Sequence, residues 1–246
     1  MASFHLSVKN GRKGTAANHA AYIARQGKHG TADKKADLRL VSHGNLPEWA
    51  EGDPFVLWRA ADKYERANGA AYREYELALP GELSLEKNTE LARAFIEKHV
   101  GNKPYQLAIH APIAAFGKIP QPHMHLMICD RKPDGIFRLP EQFFSRHNPN
   151  HPEIGGCKKD SGGKSKQEMR EQLAFVREDW ARMQNSVLAQ NGHSARVDHR
   201  SHRDRGIDHP PEIHLGRFAI NKMTDEEKMQ FQERRNGKAA HQVNET

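Results

Sequence analysis

Three histidines fall close together in the middle of the chain. His123 and His125 stand in "PHMHLMICDR", and His110 closes the run "YQLAIH". Neutral imidazole is a good ligand for divalent transition metals. Residues at i and i+2 of a strand share one face, so His123 and His125 can aim their rings at a single point. A third ring at the end of a neighbouring strand completes a three-nitrogen site. Three protein ligands leave positions on the ion for a reacting group, which is the arrangement of a catalytic rather than a structural site. Ligand type alone favours Zn²⁺ or Mn²⁺ over Mg²⁺. A lone strand histidine is more often surface or core than ligand; the pair and the third ring together shift that balance.

The elements that must carry these rings follow from alternation. In "YREYELAL", Tyr75, Leu77 and Leu79 share one face, and Glu74 and Glu76 the other. Leu107 and Ile109 oppose Gln106 and His110; Met124, Leu126 and Ile128 oppose His123 and His125; Phe4, Leu6 and Val8 oppose His5. The expectation is an α+β fold: an antiparallel sheet with helices packed on its aliphatic face and an open face carrying the histidines and glutamates. Helices are predicted over "TAANHAAYIARQG", with Thr15 as cap and Gly27 as stop, and over "DPFVLWRAADKYERANG", with Asp53 as cap and Pro54 in first position. Further helices are predicted from Ser84 to Gly101 and from about Gln167 to Asn191. "NGRKG" reads as a turn, and Gly27 to Gly52 as a polar connection. "NPNHPEIGGCKKDSGGKSK" reads as a mobile loop. Residues 217–246 read as a polar helix or tail with no core of its own.

Composition bounds the function classes. The 246 residues suit one large domain, or a domain with a tail. The formal charge is +7, from 38 Lys and Arg against 31 Asp and Glu, and the isoelectric point is about 9.4. That balance suits a nucleic acid partner, although many basic proteins bind none. Two cysteines without C-x-x-C spacing argue against a disulfide scaffold or a cysteine–zinc site, and fit a reducing cytoplasm. The sequence shows no apolar signal core, and no run approaches the roughly 20 apolar residues of a membrane span, so no membrane insertion is expected.

Several blocks, in order, carry a resemblance: "FHLSVK", "AAYIAR", "YERANGAAYREYELALP", "LAIHAP", "PHMHLMICDR" and a late "ARVDHRS…IHLG". Together they are similar to the relaxases of the MobA/MobL (MOBQ) type within the HUH endonucleases, which start conjugative transfer of mobilisable plasmids. The resemblance runs from about Met1 to Gly216 and implies a relaxase domain over residues 1–216. It implies nicking of single-stranded DNA at a transfer origin, beside a hairpin, by transesterification through a 5′-phosphotyrosine. It assigns Tyr22 as nucleophile, and His110, His123 and His125 as ligands of Mg²⁺ or Mn²⁺. Without it, Tyr22 reads as a helix residue packing on the sheet. It also implies accessory mobilisation proteins and a coupling and secretion system as partners. The loop "APIAAFGKIPQPH" is longer than the family's tightest members have.

Glu76 is expected beside a ligand histidine, as the carboxylate that fixes its tautomer; Glu74 reads at least as readily as solvated. Arg12, Lys13, Arg25 and Lys28 flank the Tyr22 helix and are candidates for DNA phosphate contacts. So are Arg196, Arg200 and Arg203 in "RVDHRSHRDRG". His199 and His202, with Asp198 and Asp204, match no metal spacing. Three other readings stay open: a rolling-circle replication initiator using the same site, a histidine–metal hydrolase with no covalent step, and a non-enzymatic basic DNA-binding module. A covalent protein–DNA adduct separates the first from the other two. Initiators that recycle in one site often carry two tyrosines on one helix; here that helix offers Tyr22 alone.

Overall fold

The computed structural model describes residues 2–114, 119–208, 217–231 and 233. In chain order the elements are β1 (Leu6–Arg12), α1 (Ala16–Ile23), α2 (Ala32–Lys35), β2 (Leu38–Gly44), α3 (Pro54–Tyr64), β3 (Ala70–Ala78), α4 (Leu85–His99), β4 (Tyr105–His110), β5 (His123–Ile128), α5 (Pro140–Phe144), α6 (Lys166–Gln190) and α7 (Arg217–Lys222). They divide into two compact units. The larger is Met1–Pro112 with Gln121–His199, and the smaller is Ile113–Pro120 with Arg200–Thr246.

The larger unit is built on an antiparallel sheet of order β1-β3-β5-β4-β2. Its aliphatic face is the expected one. Leu77, Leu107, Ile109, Met124 and Leu126 are buried there against Phe95 of α4 and Trp180 of α6. Each such side chain contributes roughly 1.5–3 kcal/mol by leaving water. Both helices start on a side-chain cap: Ser84 accepts from the Lys87 amide, and Ser165 and Glu168 form a capping box. Buried Asp179 of α6 ties the two together, 2.8 Å from Lys98 Nζ and 2.8 Å from His99 Nε2 of α4.

The second face is open only in part. Helices α1 and α3 lie on it, and Ala20, Ile23, Leu57 and Trp58 pack with Ala108 and Met127 of the sheet. Gln106, fully buried, links α1 and α3 to the sheet: Trp58 Nε1 donates to its Oε1 at 2.8 Å, and its Nε2 donates to the Ala20 carbonyl at 3.2 Å.

Four local expectations need correction. "NGRKG" is not wholly a turn: β1 continues to Arg12 because β3 supplies ladder partners as far as Ala70, and Gly11 leaves room for the Tyr72 ring. The polar connection contains β2, an edge strand whose outward residues hide its alternation and whose pairing with β4 makes it a strand. Helix α1 ends at Ile23, not Gly27, because Arg25 takes a left-handed backbone (φ 52°). Its Thr15 side chain caps nothing; Asp62 of α3 instead accepts from the Ala16 and Ala17 amides, each at 2.9 Å. The segment read as a mobile loop is pinned by buried groups. Cys157 is buried, its carbonyl accepts from Arg131 at 2.8 Å, and Asp160 pairs with Lys103 at 2.9 Å.

In the smaller unit Ile113 and Pro120 form an isolated antiparallel bridge, Arg203–Arg205 make one 3₁₀ turn, and α7 begins at Arg217. The boundary expected at Gly216 and the end of the polar tail lie outside the described residues.

Candidate metal centre and nucleophile helix

Register brings the histidines together. His110 of β4 stands opposite His123 of β5, and His125 stands between Ala108 of β4 and Glu76 of β3. One ligand atom from each ring lies within 4.8 Å of the others, and the ring centres are 5.0–5.6 Å apart. Two nitrogens on one ion are at most about 4.2 Å apart, twice a metal–nitrogen bond of about 2.1 Å. The rings therefore stand close enough to share one ion once their side chains adjust.

Each ring has one nitrogen tied down. His125 Nδ1 is 2.8 Å from Glu74 Oε1, and His123 Nδ1 is 3.1 Å from the Gln121 carbonyl. Both partners accept, so each Nδ1 carries a proton, and in the neutral ring Nε2 keeps the lone pair. His110 is the reverse. Arg25 Nη2 can only donate, so His110 Nδ1 accepts from it at 3.2 Å, and Nε2–H donates to the Ile23 carbonyl at 2.7 Å. A ligand role for His110 requires Arg25 to withdraw from Nδ1, or the ring to turn over. Burial pushes the His110 pKa down to about 4, and burial also lowers that of His123. Both are neutral near pH 7, the form in which imidazole binds a metal.

The carboxylate expected to orient a ligand histidine was Glu76, and the contact belongs to Glu74. Glu74 is 2% exposed. Burial alone would raise its pKa, but the contacts from His125 and His19 hold it at about 2. Glu76 points instead to Lys9, whose Nζ donates to Oε2 at 2.6 Å. Glu76 does stand directly across from His125, but Glu74 reaches it on the diagonal.

Tyr22 lies on α1 one residue before Ile23, whose carbonyl holds His110. The Ala20 carbonyl, on the other side of Tyr22 in sequence, is held by Gln106. Two contacts from β4 thus fix the turn that bears the tyrosine. The ring is 36% exposed, edge-on to His29 and stacked on His19, with Arg25 5.0 Å from its centre.

The basic candidates divide. Arg12, Lys13, Lys28, Arg196, Arg200 and Arg203 are exposed. Arg25 is not: it is buried, with Nε 3.1 Å and Nη2 3.0 Å from the two oxygens of Asp37. Its expected role on DNA phosphate is corrected to one inside the protein. Arg200 and Arg203 belong to the smaller unit.

Residues 18–225 match the family model described as MobA/MobL family. The chain belongs to the MobA/MobL family. A relative named "43 kDa relaxation protein" from Salmonella typhimurium is 46% identical over 209 residues, covering 85% of this chain and 56% of that protein. "Mobilization protein A" of Escherichia coli is 41% identical over 221 residues, covering 88% of this chain and 30% of that protein. The chain thus spans about half, or less, of these two relatives' lengths. A solved structure described as "Molecular Basis of Vancomycin Resistance Transfer in Staphylococcus aureus" shares the fold. Its TM-score is 0.58 at 24% identity, and the match covers 81% of this chain and all of that one. This MobA/MobL chain has no helix among its described residues long and apolar enough to cross a membrane.

Sequence reasoning missed Asp37, Asp62, Gln106 and His19. Only Gln106 left a signal, as an amide at a face position between apolar neighbours in "YQLAIH".

Proposed function

We propose that this chain is the DNA-nicking and rejoining part of a plasmid mobilisation relaxase, acting on single-stranded DNA at a transfer origin beside a hairpin. The observation that carries the reading is the joining of the histidine cluster to the tyrosine helix through His110 and the Ile23 carbonyl, in a chain of the MobA/MobL family.

In the reaction, the Tyr22 hydroxyl oxygen attacks the scissile phosphate and loses its proton. The bond from phosphorus to the DNA 3′ oxygen breaks, and that oxygen takes up a proton. The 5′ phosphate remains on Tyr22 as a diester. The return of a 3′-hydroxyl reverses each bond change, so joining needs no nucleotide. A phenol with a pKa near 10 is a weak nucleophile on its own. His110, His123 and His125 would hold a divalent ion, Mn²⁺ or Mg²⁺ with Zn²⁺ also suited to the nitrogens, that neutralises charge on the phosphate and orients it for in-line attack. Glu74 fixes the ring of His125. Lys13, Arg12 and Lys28, exposed around α1, meet the backbone of the strand. Arg196, Arg200 and Arg203 serve as further phosphate contacts. Accessory mobilisation proteins and a coupling and secretion system act with it in the bacterial cytoplasm.

The test is incubation with oligonucleotides spanning a transfer origin, followed by mass spectrometry. One adduct per chain, on Tyr22, is expected with Mn²⁺, and none with EDTA or in Tyr22→Phe. Adducts on another residue, or normal cleavage by Tyr22→Phe, overturn the reading. Cleavage without any adduct favours a hydrolase.

A further inference from the structure

The nucleophile helix meets the sheet at a second point, away from His110. His19 precedes Tyr22 by three residues, so the two side chains share one face of α1. The His19 ring lies between two tyrosines. It stacks on Tyr22 with centres 5.8 Å apart and planes 24° apart, and on Tyr72 of β3 with centres 5.2 Å apart and planes 8° apart. Its Nε2 stands 2.9 Å from Glu74 Oε1, the same oxygen that His125 Nδ1 reaches at 2.8 Å. The His19 contact is close but not aligned as a hydrogen bond.

We infer that His19 is the positioning residue for Tyr22: its ring, set by Tyr72 on one side and Glu74 at its edge, is the platform that fixes where the Tyr22 phenol stands. The inference rests on Tyr22 being the nucleophile. Three features carry it. Tyr72 is 7% exposed and Glu74 2% exposed, so both supports are fixed parts of the sheet, while Tyr22 is 36% exposed and its other neighbours are the edge of His29 and the Arg25 guanidinium. Offset stacking of flat rings is favourable enough to select among the few staggered positions of an exposed tyrosine. Glu74 is shared, so the carboxylate that orients a candidate metal ligand also orients the platform under the nucleophile. A displacement of about 1 Å at a reacting group can cost about a hundredfold in rate. A residue that fixes the phenol therefore acts on the rate of cleavage, not on retention of DNA or metal.

Two measurements test this. The first does not depend on activity. The protein is labelled with 3-fluorotyrosine, and the Tyr22 resonance is identified by its loss in Tyr22→Phe. His19→Ala should shift and broaden that resonance, and His19→Phe, which keeps a flat ring, should leave it sharp. An unmoved Tyr22 resonance in His19→Ala overturns the inference. The second is single-turnover cleavage alongside separate titrations of DNA and Mn²⁺. His19→Ala should cleave at least tenfold more slowly, with both affinities within about twofold of wild type, and His19→Phe should recover most of the rate. An unchanged rate, loss of Mn²⁺ affinity in step with rate, or a His19→Phe protein as slow as His19→Ala overturns it. Absence of any wild-type adduct with a shifted Tyr22 resonance counts against the nuclease reading and leaves the platform standing.

Discussion

Arg25 and Asp37 face each other across two contacts, 3.1 Å and 3.0 Å long, and the same guanidinium touches His110. The pair joins the end of α1 to the start of β2 and sets the floor of the histidine cluster. Removing one member of a buried pair leaves the other without compensation, at a cost of about 3–5 kcal/mol. Arg25→Ala should therefore lower the urea midpoint clearly while the salt dependence of DNA binding keeps its slope. A stable Arg25→Ala protein with a reduced slope would return Arg25 to the DNA contacts.

Glu74 and Glu76 should behave differently towards metal. Groups that orient a ligand histidine typically govern affinity by 10–100-fold. Glu74→Ala should weaken Mn²⁺ binding by that order in calorimetric titration, and Glu76→Ala by no more than about threefold. Equal losses would mean that the diagonal contact to His125 is not what prepares the ring.

His123→Ala and His125→Ala should abolish Mn²⁺ binding and cleavage while both proteins stay folded and keep bulk DNA binding, His125→Ala with a lowered thermal transition because it takes a partner from buried Glu74. Both rings stand at the rim of the core and neither supplies its bulk. Cleavage by either variant in metal-free buffer would remove the cluster from the reaction.

DNA binding should weaken steeply with salt, because each neutralised phosphate releases counterions. Lys13→Ala should reduce the slope of log affinity against log salt by about one, uniformly across DNA sequences. A slope that Lys13→Ala, Arg12→Ala and Lys28→Ala all leave untouched would place the DNA elsewhere on the surface.

Asp179 should govern part of the stability in acid. Burial opposes its ionised form, but Lys98, Arg182 and His99 bring its pKa down to about 2, below the unfolded value of 3.8. Its contribution is fully present above about pH 4 and is lost as pH falls towards 2. The gap in urea midpoint between wild type and Asp179→Asn should therefore be wide at pH 6 and close steadily below pH 4. A gap that stays constant to pH 2.5 would show that the carboxylate's ionisation is not what holds α4 to α6.

Much of this was legible in the chain, for identifiable reasons. The strands of the histidines could be read because alternation is local, and His110, His123 and His125 meet because antiparallel register follows from that alternation. The capped helices were legible because Asp53 and Ser84 act on amides two or three residues away. What could not be read depends on residues distant in sequence. Asp62 caps a helix 46 residues before it, β2 becomes a strand only against β4, and the choice of Glu74 over Glu76 turns on a diagonal reach between two strands. Arg25 looked like a surface cation because nothing near it in sequence announces Asp37 as its partner.

The strand order has a dynamic consequence. β5 and β4, which bear the three histidines, are hydrogen-bonded on both sides, while β1 and β2 form the rims. Amide protons of the inner strands should exchange with deuterium only through opening of the whole sheet. Those of α1, a helix of 8 residues whose first turn hangs on one distant aspartate, can exchange by lifting that helix alone. The tyrosine thus rides on a helix that can open separately from the sheet, over a set of imidazoles that moves last.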